Sequence, residues 1–163
     1  MRRLLRPEKP ISNAYPIGRT LKRTEEGDVS MKVLFVCSGN AHRSPLAEAL
    51  LQKLMPSWKT DSAGLQVAIP VSEEVREYLR KERTEQYLKK TPESLEHKQL
   101  KDYDLIVAME QRHKTAVLLQ CPECKNKIVV WNIEDPYFLQ GEDAKKVYDK
   151  IKSKVAELAE HES

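Results

Sequence analysis

Two phenylalanines, two tryptophans, five glycines and three cysteines are all that the 163 residues hold of those types. A sparse and odd cysteine set excludes the disulfide framework of a small secreted domain. No stretch reaches the roughly 18 consecutive apolar residues of a membrane-spanning helix. The opening MRRLLRPEKP is basic like the start of a signal peptide, but prolines stand where an apolar region would follow. A strong excess of one charge is missing too, with 28 Lys and Arg against 25 Asp and Glu. Residues 1–30 carry the whole +3, seven basic against four acidic, and residues 31–163 balance to zero. A neutral body argues against nucleic acid as the main partner, because binding phosphate backbones needs clustered positive charge. Repeats and low-complexity tracts are also absent. These exclusions describe a cytoplasmic protein with neither a membrane nor a nucleic-acid partner. The expected organisation is a poorly ordered basic extension over 1–30, rich in proline, and one domain over 31–163.

What is present is an alternation of apolar runs and helical periodicity. Val33–Val36 form a short continuous apolar run, the signature of a strand covered on both faces. SPLAEALLQKLM follows at helical spacing, with Ser44 expected as its cap and Pro45 at its first position. WKTDSAGL reads as the second strand, SEEVREYLRKE and TPESLEHKQLK as helices, DLIVAM as the third strand and EQRHKTAVLLQ as the helix after it. KIVVWNI reads as the fourth strand, and AKKVYDKIKSKVAELAE as a last amphipathic helix. Strands separated by helices imply right-handed crossovers and a parallel sheet with helices on both faces. Ligands of such sheets sit at the carboxyl ends of strands. Cys37 closes the first strand and Asp135 follows the fourth, so both are expected on that rim.

CSGNAHRS, between strand one and the first helix, has the composition of an anion cup. Its successive backbone amides can line a concavity, with Gly39 and Asn40 expected to supply unusual dihedrals. The helix that follows points its positive end at the same place. Arg43 adds a planar fork matched to two phosphate oxygens. Such surroundings favour a thiolate over a thiol, and Ser44 can donate its hydroxyl hydrogen to the sulfur. Phosphoryl transfer to a thiolate also needs a proton for the departing oxygen. EDPYF supplies Asp135, fixed by Pro136, with Glu134 as a neighbouring rival and Tyr137 and Phe138 as walls.

VLFVCSGNAHRSPLAEALL, DSAG, DLIVAM and EDPY, in this order, resemble the low-molecular-weight protein tyrosine phosphatases over about residues 31–160. Other cysteine phosphatases carry the acid upstream, whereas Asp135 lies 98 residues after Cys37. The resemblance implies a four-stranded parallel sheet of order 2-1-3-4 and no metal or cofactor. It makes Cys37 the nucleophile of a phosphocysteine intermediate, Arg43 the phosphate clamp and Asp135 the general acid and then base. Ser38, Gly39, Asn40, Ala41, His42, Ser44 and Tyr137 become the substrate-binding set. Within it Asn40 braces the loop, Ser44 assists the thiolate and Tyr137 flanks the leaving group. The implied partner is a phosphorylated protein or a small phosphomonoester, met by a monomer or weak dimer.

Two positions depart from the family pattern. His42 stands where many members have a second cysteine able to cover the nucleophile, so that protective disulfide is not expected. Its imidazole is read either as added positive charge or as a neutral brace. Ala41 stands where many tyrosine phosphatases carry a bulky aliphatic residue, and some members of the superfamily with a smaller residue there act on phosphoarginine. Arsenate reduction, a third activity on this scaffold, needs two more cysteines within reach of the nucleophile. The CPEC pair at 121–124 precedes the fourth strand and is expected at the far end of the sheet, as a local disulfide or two thiols rather than a zinc site. His97, His113 and His161 are expected at the surface, Trp58 and Trp131 in the core, and RKERTEQYLKK as a solvated face.

Overall fold

The computed structural model describes residues 22–23 and 29–162. Most of the expected basic extension therefore lies outside the described residues. Two short pieces of it, β1 (Lys22–Arg23) and β2 (Val29–Ser30), pair antiparallel. The main sheet comprises β3 (Lys32–Cys37), β4 (Lys59–Gly64), β5 (Leu105–Ala108) and β6 (Ile128–Val130). All its pairings are parallel, in the order β4-β3-β5-β6. Counted along the chain within this sheet, that is the expected 2-1-3-4.

The apolar run of β3 is buried on both faces, as its lack of alternation requires. Val33, Phe35 and Cys37 face a core shared with α1 (Arg43–Leu54), α2 (Glu73–Lys81) and α4 (Gly141–Glu162). Leu34 and Val36 face a second core built with α3 (Gln111–Gln120) and the short turns around Leu95 and Leu100. The first two turns of α1 are buried almost all round, wedged between the sheet and α4. Trp58 and Trp131 are both core residues, and Trp131 packs its ring against Phe35 with centroids 5.5 Å apart. No helix among the described residues is long and apolar enough to cross a membrane.

Several expectations are corrected. TPESLEHKQLK forms no α-helix; it follows the sheet edge in two single 3-10 turns, Leu95–His97 and Leu100–Asp102. An isolated bridge from Ser94 to Gly64 and the insertion of Leu95 and Leu100 into the second core hold it extended. The fourth strand is shorter than the seven-residue KIVVWNI, because Asn132 turns left-handed (φ 57°) and ends it. α1 begins at Arg43 with His42 in the cap position, so Ser44 lies inside the first turn and caps nothing. Pro45 still falls in that turn, where its missing N–H is no loss.

Candidate active site

Cys37, the last residue of β3, is 2% exposed and lines the mouth of a cavity of about 610 Å3 at the carboxyl edge of the sheet. The loop from Ser38 to His42 wraps it. The carbonyls of Cys37 and Ser38 accept the amides of Leu65 (3.2 Å) and Gln66 (2.9 Å), which turns the loop's outer face toward the segment after β4. Among the described residues, none of the amides of Ser38, Gly39, Asn40, Ala41 or His42 donates to a protein acceptor. Five uncommitted N–H groups around one thiol form a nest for an anion, completed by the start of α1.

Asn40 alone supplies the unusual dihedral, with φ 54°. Gly39 does not, contrary to expectation, and space for a side chain exists there: an added Cβ would lie 3.6 Å from its nearest neighbour. The demanding glycine is Gly64, at the end of β4. A Cβ on it would fall 2.6 Å from Asn40 N, 2.7 Å from Gly39 C and 2.9 Å from Ser38 O, all backbone. β4 thus supports the cup from beneath by direct contact of main chains.

Behind the loop runs a buried polar network. Asn40 Nδ2 donates to Ser44 Oγ (2.8 Å) and Ser62 Oγ (2.9 Å), while its Oδ1 accepts from Lys89 Nζ (2.9 Å) and the Glu93 amide (2.8 Å). Ser62 Oγ in turn donates to Glu48 Oε1 (2.8 Å). Ser44 Oγ, 2.8 Å from Cys37 Sγ, already accepts from Asn40 and so has its own hydrogen to give. With an ionised sulfur that hydrogen points at Sγ; with a thiol it can turn to the Ala63 carbonyl at 3.5 Å. Burial pushes the Glu48 carboxyl up to about 7, against the pull of the Lys89 ammonium. Lys89 belongs to the run expected to be a solvated face, yet its side chain is only 8% exposed.

Arg43 is 1% exposed, and its guanidinium is aimed by acceptors on two strands' extensions. Its Nη1 donates to Glu110 Oε2 (2.6 Å) and the Ile133 carbonyl (2.7 Å), fixing the plane, while Nη2 faces Ser38 Oγ (3.3 Å) and Asp135 Oδ2 (3.7 Å). The bonds to Arg43 and Arg112 hold the Glu110 carboxyl below the usual range although burial opposes them. Asp135 is partly exposed, and its Oδ1 accepts the Tyr137 amide at 3.0 Å, a turn that leaves Oδ2 toward the cup. Tyr137, His42, Ile69 and Leu65 form the outer walls. Burial lowers the His42 imidazole below its usual value, so at neutral pH it is an uncharged wall residue rather than an extra cation.

This geometry coincides with a family model described as low molecular weight phosphotyrosine protein phosphatase, which matches residues 32–162. The chain belongs to that family. Among relatives, Wzb, a low molecular weight protein-tyrosine-phosphatase of Escherichia coli K12, is 31% identical over 144 residues, covering 78% of this chain and 92% of its own. The Vibrio vulnificus Wzb structure in complex with benzylphosphonate superposes with a TM-score of 0.73 at 28% identity, covering 80% of this chain and 98% of that one. YwlE, an arginine phosphatase from Geobacillus stearothermophilus, gives 0.73 at 27% identity, covering 80% and 92%.

Within this phosphatase fold, Cys37, Ser38, Gly39, Ala41, His42, Arg43, Asp135 and Tyr137 come together around one cavity. Asn40 and Ser44 lie behind it, fully buried. Phe138, expected as a second wall, is 90% exposed and does not line the cavity; its ring meets that of Tyr137 edge-on. Cys121 and Cys124 form a disulfide in the turn before β6, at the amino edge of the sheet and opposite Cys37, where they cannot relay electrons to it. Sequence reasoning missed Glu110, Arg112, His113, Lys89 and Ser62. His113 was expected at the surface and is fully buried, its Nδ1 accepting the Glu110 amide at 3.0 Å. The spacing of Glu110 and His113 at a helix start was the available signal, since a side chain three residues into a helix can satisfy the cap amide.

Proposed function

We propose that this chain hydrolyses phosphorylated tyrosine in proteins, and aryl phosphomonoesters generally, through a phosphocysteine intermediate. The loop amides and Arg43 hold the equatorial oxygens of the phosphoryl group above Cys37 Sγ. The thiolate, stabilised by the Ser44 hydroxyl, attacks phosphorus as the bond to the leaving oxygen breaks. Asp135 gives its proton to that oxygen, and the alcohol departs. Water then attacks the phosphocysteine, Asp135 takes one of its protons, and the P–S bond breaks to release inorganic phosphate and the thiolate. The observation that carries this reading is the 2.8 Å contact of Cys37 Sγ with Ser44 Oγ inside a cavity whose wall includes Arg43 and Asp135. The aromatic wall of Tyr137 and the apolar Leu65 and Ile69 suit a phenyl ring.

Phosphoarginine is the second reading. It is favoured by Ala41 on the cavity wall, where a methyl group gives a flat ring little to pack against. Cytoplasmic location, a monomer or weak dimer, and independence of nucleic acid complete the proposal, the last supported by the neutral charge of residues 31–163.

Hydrolysis of para-nitrophenyl phosphate should proceed and Cys37→Ser should abolish it. Asp135→Asn should slow poor leaving groups by about 100-fold and good ones far less. Equal slowing of both would remove Asp135 from the acid role. Phosphotyrosine and phosphoarginine peptides assayed side by side decide the substrate, with the phosphotyrosine peptide expected to turn over faster.

A further inference from the structure

Three donors compete for the lone pairs of Ser38 Oγ. Arg112 Nη2 lies 2.7 Å from it, His113 Nε2 3.0 Å and Arg43 Nη2 3.3 Å. The direction of the histidine contact follows from the other ring nitrogen. Nδ1 accepts the Glu110 amide, so the neutral ring carries its hydrogen on Nε2 and must donate it to Ser38. Burial, aided by Arg43, lowers the imidazole to about 4, so this tautomer persists through the physiological range. A hydroxyl has two lone pairs and one hydrogen. The lone pairs are saturated, and among the described residues no partner of Ser38 Oγ can accept the hydrogen. Ser38 lines the cavity beside Cys37 and Arg43, so the one direction left for that hydrogen is into the cup.

We infer that the Ser38 side chain is a committed hydrogen-bond donor to a phosphate oxygen held in the cup, with His113 and Arg112 as the positioning residues that force it into that role. The inference rests on the phosphatase reading for its ligand and adds a donor that the loop amides and Arg43 do not provide. Donors already bound to Oγ polarise the O–H bond, which strengthens its donation to a dianion. His113 thus acts on the phosphate through Ser38 without touching it.

The test is a calorimetric titration of the full chain with inorganic phosphate, which needs no turnover. Ser38→Ala should weaken phosphate binding by about 10-fold or more, whereas Ser38→Thr, which keeps the hydroxyl, should stay near wild type. His113→Phe should weaken it similarly, and the Ser38→Ala/His113→Phe pair should bind no worse than Ser38→Ala alone, because both act through one hydrogen. His113→Gln, whose amide can donate from the same side, should recover affinity. Wild-type binding by Ser38→Ala, or fully additive losses in the pair, would overturn the inference. The Ser38 variants carry the test if His113→Phe does not fold. Absence of para-nitrophenyl phosphate turnover by the wild-type chain would instead remove the phosphatase reading, leaving the donor to stand or fall on the titration.

Discussion

Glu48 and Lys89 sit one residue behind the cup, and their charges are coupled to it through Ser62 and Asn40. The carboxyl of Glu48 is pushed from 4.5 to about 7 by burial. Between those values the native state keeps a proton that the unfolded chain has lost. The group therefore contributes stability that is complete below about pH 4.5 and disappears as pH rises through 7. The contribution is on the order of 3 kcal/mol. Glu48→Gln, which keeps the acceptor for Ser62 without the charge, should remove this pH dependence. Chemical unfolding of both proteins at pH 5, 6, 7 and 8 should show wild type losing ground against the variant as pH rises. Parallel curves would show that Glu48 is ionised throughout. His113 works in the opposite sense: its lowered pKa costs stability as pH falls from 6.5 toward 4, and the difference between the two proteins cancels that common term.

At the scale of elements, the cup depends on how closely β4 approaches the loop that follows β3. Gly64→Ala places a methyl within 3 Å of three backbone atoms of Ser38, Gly39 and Asn40, none of which can swing aside as a side chain would. The loop must shift as a unit. Activity on para-nitrophenyl phosphate should fall at least 100-fold, while the thermal midpoint drops by only a few degrees, since the core beneath is untouched. A loss of stability as large as the loss of activity would show that the strand had moved instead. The parallel sheet, the placement of Cys37 and Asp135 on one rim and the four principal helices were legible in the sequence, because continuous burial and helical periodicity are local signals. The strand order came only with the resemblance to the phosphatase family. The path of residues 91–101 was not. Thr91 and Pro92 have the chemistry of a helix start, yet Leu95 and Leu100 find burial only when the segment stays extended along the sheet edge. Lys89 and His113 were illegible for a related reason. Each is polar within charged text, and its local partner (Glu93 for the lysine, Glu110 for the histidine) is completed by a distant one that the sequence does not reveal: Asn40 for the lysine, Ser38 for the histidine. Ser44 fits a cap by composition, but the helix starts early and its hydroxyl serves the sulfur.

Across the whole molecule, the two thiol chemistries are kept at opposite edges of the sheet. Cys121 and Cys124 close a turn between α3 and β6 and are buried in the second core, while Cys37 belongs to the first. Linking residues only three apart removes little freedom from the unfolded chain, about 2 kcal/mol. Reduction with dithiothreitol, or the double change Cys121→Ser/Cys124→Ser, should lower the thermal midpoint by a few degrees. The turnover number for para-nitrophenyl phosphate should stay unchanged. A drop in turnover on reduction would reveal a connection through α3, whose first turn carries Arg112 and His113.

Trp131 ties this far architecture to the site in one more way. Its ring lies against Phe35 on the strand that ends in Cys37, and two residues on, the Ile133 carbonyl grips Arg43. Any ligand that draws the guanidinium inward pulls on a segment anchored by an indole. The protein thus carries an intrinsic fluorophore two residues from a contact of its anion site. Titration with inorganic phosphate is expected to change tryptophan emission in wild type but not in Trp131→Phe. Unchanged wild-type emission at saturation would show that the strain stops short of the indole.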